Sequence, residues 1–155
     1  MDQKELERRL RTLEDTEAIR RLKALYAEIC DDRYDTRRMV KLFTEDAVWD
    51  GGEVWGVHKG RDKVMAFFTE AGKKITGVHF FVQPLIKITS DTTAEGSWYL
   101  LQQGTRGGDM AFWLSAVEYE KYVKVNGEWL FKEIKFREFF ATRFEEGWHK
   151  NKMCL

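Results

Sequence analysis

Proline is almost absent: the 155 residues carry one, Pro84. Cysteine occurs twice, as Cys30 and Cys154, too far apart to give a metal-ligand spacing. Cys30 reads as a helix core residue and Cys154 as a tail thiol, and such usage points to a reducing cytoplasm. No apolar run approaches the roughly 20 residues that cross a bilayer. The opening Met1–Glu7 is charged and has no signal-peptide apolar region. Net charge is missing too. The 26 basic and 26 acidic side chains cancel, which removes the general electrostatic case for nucleic acid or an anionic membrane as partner. There is no P-loop and no dinucleotide-binding glycine fingerprint, since Gly104-Thr105-Arg106-Gly107-Gly108 sits between strands and opens no helix. The three histidines, His58, His79 and His149, are scattered, and neither cysteine nor any serine stands in a nucleophile motif. No metal and no cofactor are expected.

What is present is apolar and aromatic. Hydrophobic residues make up 43% of the chain and aromatic residues 14%, enough for a real core and against disorder. The length suits one domain over 1–155. Leu6, Leu10, Leu13, Ile19, Leu22, Leu25, Tyr26 and Ile29 recur at three- and four-residue steps, which predicts a long helix over roughly 3–31. Residues 1–15 are heavily charged around their leucines and read either as a helical arm on a neighbouring subunit or as a frayed end. Asp15-Thr16-Glu17 offers a point where the helix could break and restart. A short second helix follows an Asp35 or Thr36 cap and carries Met39, Val40, Leu42 and Phe43. Ala47–Trp49 reads as a strand, Val54–Val57 as its hairpin return, and Gly60 opens a third helix with Val64, Phe67 and Phe68 on its apolar face.

From residue 75 the pattern is strand after strand: Val78–Ile88, Thr93–Gly104, Met110–Val125 and Glu128–Phe140. Asn126-Gly127 is a strong hairpin signal. Pro84 requires a bulge or a sheet edge. Residues 141–155 read as a C-terminal tail. Helices followed by a long antiparallel meander predict an α+β fold with helices packed on one face of a curved sheet.

His79 stands out within this pattern, in the apolar run Gly77-Val78-His79-Phe80-Phe81-Val82. Imidazole can accept or donate a proton at neutral pH. A histidine in such a strand is also, by default, a core residue bonded to backbone. His58 reads as an exposed loop residue and His149 as part of the tail.

Four segments together resemble the SnoaL-like branch of the NTF2-like superfamily. They are Ile19-Arg20-Arg21-Leu22-Lys23-Ala24-Leu25-Tyr26, Leu42-Phe43-Thr44-Glu45-Asp46-Ala47-Val48-Trp49, Gly60-Arg61-Asp62-Lys63-Val64-Met65-Ala66-Phe67-Phe68 and Asn126-Gly127-Glu128-Trp129-Leu130-Phe131-Lys132. The resemblance implies a cone-shaped α+β barrel, its mostly antiparallel sheet wrapped around helices, with an apolar cavity. Enzymes and non-enzymes share that fold, so the fold decides little about function. Motif by motif the chain is most similar to the bile acid 7α-dehydratase and scytalone dehydratase branch. The resemblance implies Tyr26 and Asp31 as a pair at the end of the first helix, His79 on the strand after the third helix, and Arg137 on the last strand. The second carboxylate of the bile acid enzyme falls on Gln102, which supplies a hydrogen-bonding group but no acid or base.

Read as chemistry, Asp31 would fix the tautomer of a His79 general base, and Tyr26 would donate to a developing oxyanion or a departing hydroxyl. Arg137 would add positive potential or hold an anionic group. Each residue also has a plainer role. Tyr26 would end the apolar stripe, Asp31 would cap a helix while Asp32 or Asp35 took the site role, and Arg137 would pair with Glu118, Glu120 or Glu138 on a solvated face. Trp49, Phe68, Phe81, Trp98 and Trp113, with Gln102, are the expected substrate-binding residues of a pocket for a flat hydrophobic molecule such as a sterol, polyketide or aromatic compound. The expected function is a cofactor-independent lyase or isomerase, dehydratase-like, using His–Asp general base catalysis. A ligand-binding or assembly module of the same fold and an epoxide-hydrolase-like enzyme are the alternatives. Self-association as a dimer or trimer is expected, because the arm and a broad sheet face need cover.

Overall fold

Gln3–Asp31 forms one uninterrupted helix, α1, in the computed structural model, which describes residues 2–152. Cys154, read above as a tail thiol, lies outside the described residues. Asp2 caps α1 by accepting from the Glu5 N–H. The helix does not break at Asp15. That residue is buried and ties the helix to the sheet, accepting from Trp129 Nε1 at 2.9 Å and pairing with Lys124. The turns before it stand clear of the sheet, with Leu6, Leu10 and Leu13 exposed.

Asp35 caps the short α2 (Thr36–Met39), and a 3-10 turn at Val40–Leu42 leads into β1 (Phe43–Asp50). Phe43 therefore begins a strand rather than ending a helix. Of Val54–Val57, expected as a hairpin return, only Val57 is strand: Gly52–Trp55 winds into a single helical turn, α3, and the return strand is the three-residue β2 (Val57–Lys59). Glycines supply the unusual backbone there: Gly52 and Gly56 have φ of 68° and 79°. Helix α4 (Arg61–Lys74) then buries Val64 and Phe68.

The long strands β3 (Ile75–Ile88), β4 (Thr93–Arg106), β5 (Met110–Val125) and β6 (Glu128–Arg143) form an antiparallel meander. The sheet order is β2-β1-β6-β5-β4-β3, with the β1–β6 pair alone parallel. Residues 141–143 thus belong to β6, and the short α5 (Gly147–Lys150) follows. Asn126 and Gly127 turn β5 into β6 with φ of 52° and 86°, as a two-residue hairpin loop requires. Pro84 lies on the edge strand β3, where the register slips between Val82 and Leu85 and Gln83 adopts a φ of 52°. An edge position and a bulge are the places where the missing N–H costs no ladder bond. Among the described residues no helix is long and apolar enough to cross a membrane.

The sheet is curved and unclosed, and its concave face wraps α1 and α4. Alternation along each strand assigns side chains to faces. On β3, Gly77, His79 and Phe81 point inward, while Val78, Phe80 and Val82 are exposed. On β4, Trp98, Leu100 and Gln102 are buried and Tyr99 and Leu101 exposed. On β5, Phe112, Leu114, Ala116, Glu118, Glu120 and Tyr122 face inward.

Candidate active site

The register sets three inward residues level across the sheet: His79 opposite Gln102, and Gln102 opposite Leu114. Helix α1 ends directly over them. Asp31 Oδ1 accepts from the His79 ring Nδ1 at 2.8 Å and from the His79 backbone N–H at 2.9 Å. With the proton on Nδ1 donated to Asp31, Nε2 is left as an acceptor. It meets the Tyr34 hydroxyl at 3.1 Å. The His79 ring is buried, whereas Asp31 keeps one-third of its side chain exposed.

Tyr34 carries no signal in the sequence, because a turn puts it here. Arg33 and Tyr34 adopt φ of 54° and 55°, in the left-handed region that non-glycine residues seldom enter. This reverses the chain after α1 and folds the phenol back over the site. The ring stacks on Phe68 with centroids 5.5 Å apart and meets His79 edge-on. Helix α4 holds the turn from behind. A Cβ at Gly72 would stand 2.2 Å from the Arg33 carbonyl oxygen, so glycine alone allows this approach. Burial pushes the Tyr34 hydroxyl well above the usual phenol range, with neighbouring Cys30 adding to the shift. Tyr34 is therefore a neutral donor at physiological pH.

These groups face a cavity between α1, α4 and the concave sheet, with about 60 Å³ open to the centres of water-sized molecules. Tyr26, Trp49, Phe68, Phe81 and Gln102 line it, as does Tyr34. Two buried donors on the wall lack a protein partner, Gln102 Nε2 and Trp49 Nε1. Such a group costs about 1–3 kcal/mol if left unpaired.

Of the remaining expected residues, Arg137, Trp113 and Trp98 lie away from the cavity. Arg137 sits on the outer face and clasps Asp50 through Nη2 at 2.9 Å, and its pairing partner is none of the three glutamates considered for it. The parity of β6 puts Phe136 in the cavity wall and so turns its neighbour outward. The same rule turns Trp113 to the outer face, between inward Phe112 and Leu114. Trp98 does point inward but lies beyond the cavity, donating to the Tyr122 hydroxyl at 3.0 Å. Tyr26 is wholly buried among Phe43, Phe68, Phe81 and Phe131, and burial holds its hydroxyl far above the ordinary phenol value. His58 is half-buried rather than exposed, stacked on Phe67 at 4.4 Å.

A buried ionic cluster adjoins the cavity. Lys23 bonds both Glu118 and Glu120, and Tyr122 donates to Glu120. The Lys23 ammonium also lies 3.6 Å from the centroid of Phe81. Burial opposes its charge, but the two carboxylates outweigh that and raise its pKa. Burial pushes Glu120 up to about 7. Among the described residues, no three His, Cys, Asp or Glu side chains gather as a metal site would need.

The SnoaL-like domain model matches residues 11–135 of this chain. Among solved structures, a scytalone dehydratase-like protein of Novosphingobium aromaticivorans superposes with a TM-score of 0.80 at 22% identity, over 86% of this chain and 90% of its own. The hexachlorocyclohexane dehydrochlorinase LinA-type3 of Novosphingobium barchaimii gives 0.75 at 20% identity, over 87% and 93%. An NTF2-like protein with a cystatin-like fold, also from Novosphingobium aromaticivorans, gives 0.74 at 20%, over 89% and 90%. At such identities the likeness is one of fold. The family model, by contrast, spans most of the sequence, and the protein belongs to the SnoaL-like family of NTF2-like domains.

Proposed function

We propose that this protein is a cofactor-independent lyase that eliminates HX, most simply water, from a compact hydrophobic molecule. The observation that carries the reading is the 2.8 Å contact between Asp31 Oδ1 and His79 Nδ1, which leaves Nε2 on the cavity side. Neighbours of the same fold that are a dehydratase-like protein and a dehydrochlorinase support the reaction class.

In the proposed step His79 Nε2 takes a proton from a carbon next to a carbonyl or other acidifying group. The C–X electron pair departs with X as the C=C bond forms. Tyr34 gives its proton to a leaving hydroxide, producing water, and regains one from the His79 imidazolium. Asp31 balances the imidazolium while it lasts. Gln102 Nε2, a donor without a protein partner, is placed to bond an oxygen on which negative charge develops. General base catalysis of this kind is worth about 10²–10⁴-fold. The size of the cavity favours a single ring over a sterol.

A panel of cyclic β-hydroxy ketones, followed by the absorbance of the conjugated product, tests this reading. Turnover that falls at least a hundredfold in His79→Gln supports it; turnover indifferent to His79 sinks it. A ligand-binding module is the second reading, favoured by Tyr34 already occupying Nε2. Saturable binding of such rings with no product would establish it instead.

A further inference from the structure

The cavity has a second polar end. Strand register orders its wall: Ile75 and Arg106 at one end, His79 with Gln102 and Leu114 next, then Phe81 with Leu100. Glu118, opposite Trp98 on β4 and Phe136 on β6, stands at the other end. Glu118 lies four residues beyond Leu114, roughly 13 Å along the strand. Trp49 joins that end from β1, packed against Phe136 with centroids 5.8 Å apart.

The chemistry of this end is specific. Glu118 is 2% exposed, lines the cavity and meets the Lys23 ammonium with Oε2. A carboxylate accepts about four hydrogen bonds, so capacity remains beyond the Lys23 contact. Glu120 shares Lys23 but is turned toward Tyr122 and is absent from the cavity wall. Trp49 is 5% exposed, and its Nε1 donor has no protein partner. An acceptor and an orphaned donor on the wall of one apolar cavity form the complement of a group that both donates and accepts. Stability alone is a poor reason for this arrangement, because buried ion clusters are often replaceable by apolar side chains without loss.

We infer that Glu118 and Trp49 bind a hydroxyl group carried on the ligand's ring, donating to the carboxylate and accepting from the indole N–H. The inference deepens the lyase reading by naming the substrate class as a ring-bearing alcohol or phenol, with its reacting carbon toward His79. It rests on that reading only for turnover and not for binding.

Phenol and toluene are near-equal in shape and differ in the hydroxyl. A cavity without a polar partner prefers toluene, the more apolar of the two. Titrations of the full chain with each, read by protein NMR, are expected to show phenol binding at least as tightly as toluene. Glu118→Leu should reverse the order by about tenfold, and Glu118→Gln, which keeps the volume, should weaken phenol without affecting toluene. Glu120→Gln, which also removes a carboxylate from Lys23, should leave the order as in the wild type. A phenol preference that survives both Glu118 substitutions, or that Glu120→Gln abolishes equally, overturns the inference. So does binding of neither ring. Because no product is measured, failure here is separable from failure of the lyase reading.

Discussion

Asp31 Oδ1 accepts two hydrogen bonds from one residue, the ring Nδ1 and the backbone N–H of His79. The backbone bond fixes where the carboxylate sits, and the ring bond fixes which nitrogen carries the proton. Asp31→Asn keeps the size but puts an amide that can turn either edge to the ring. The expected result is loss of the single Nδ1–H tautomer, seen in the 15N shifts of the His79 ring. Any elimination activity should fall by about 10²-fold or more, within the usual range for general base catalysis. A ring still locked as Nδ1–H in the variant would remove Asp31 as the orienting group.

Gly72→Ala tests the turn that delivers Tyr34. The added methyl meets the Arg33 carbonyl oxygen at 2.2 Å, and both atoms belong to backbone-held positions that cannot rotate away. Overpacking of this kind costs about 1–3 kcal/mol. A lower urea midpoint is expected, together with a changed His79 Nε2 shift as the Tyr34 hydroxyl withdraws. Unchanged stability and an unchanged shift would mean that the turn is not braced by α4.

Stability should depend on pH through Glu120. Its folded value of about 7 lies above the ordinary glutamate value of 4.5. Between those values the folded chain holds a proton that the unfolded chain has released. The stabilisation is complete below pH 4.5 and is lost as pH rises through 7. Urea midpoints measured from pH 4.5 to 8 should therefore fall more steeply for the wild type than for Glu120→Gln. Parallel curves would show that Glu120 is ionised throughout.

Arg137→Ala should cost below about 1 kcal/mol, because its partner Asp50 is reached across a partly exposed outer face. Turnover in the cavity should stay within about twofold. A large loss of activity with intact fold would return Arg137 to the site and contradict its outward placement.

Much of this architecture is legible in the residues. The span of α1, the Asn126-Gly127 hairpin and the bulge at Pro84 follow from local rules that tertiary contacts do not overturn. The approach of Asp31 to His79 was visible only through resemblance, since 48 positions separate the two. What stayed hidden depends on strand parity or on rare backbone. Trp113 and Arg137 are aromatic and cationic as a binding residue should be, but each stands one position away from the concave face. Lys23 lies within a charged helical stretch whose default is solvent, and its burial follows from two glutamates on β5, almost 100 residues away. Tyr34 required two consecutive left-handed residues, a conformation that neither Arg33 nor Tyr34 advertises.

The small volume of the cavity also makes selection a matter of shape. A wall built of packed rings, with about 60 Å³ to spare, leaves little slack for an extra substituent, since forcing added methylenes into packed surroundings costs about 1–3 kcal/mol. Molecules that differ by one ring substituent should therefore be sorted by fit before any chemistry begins.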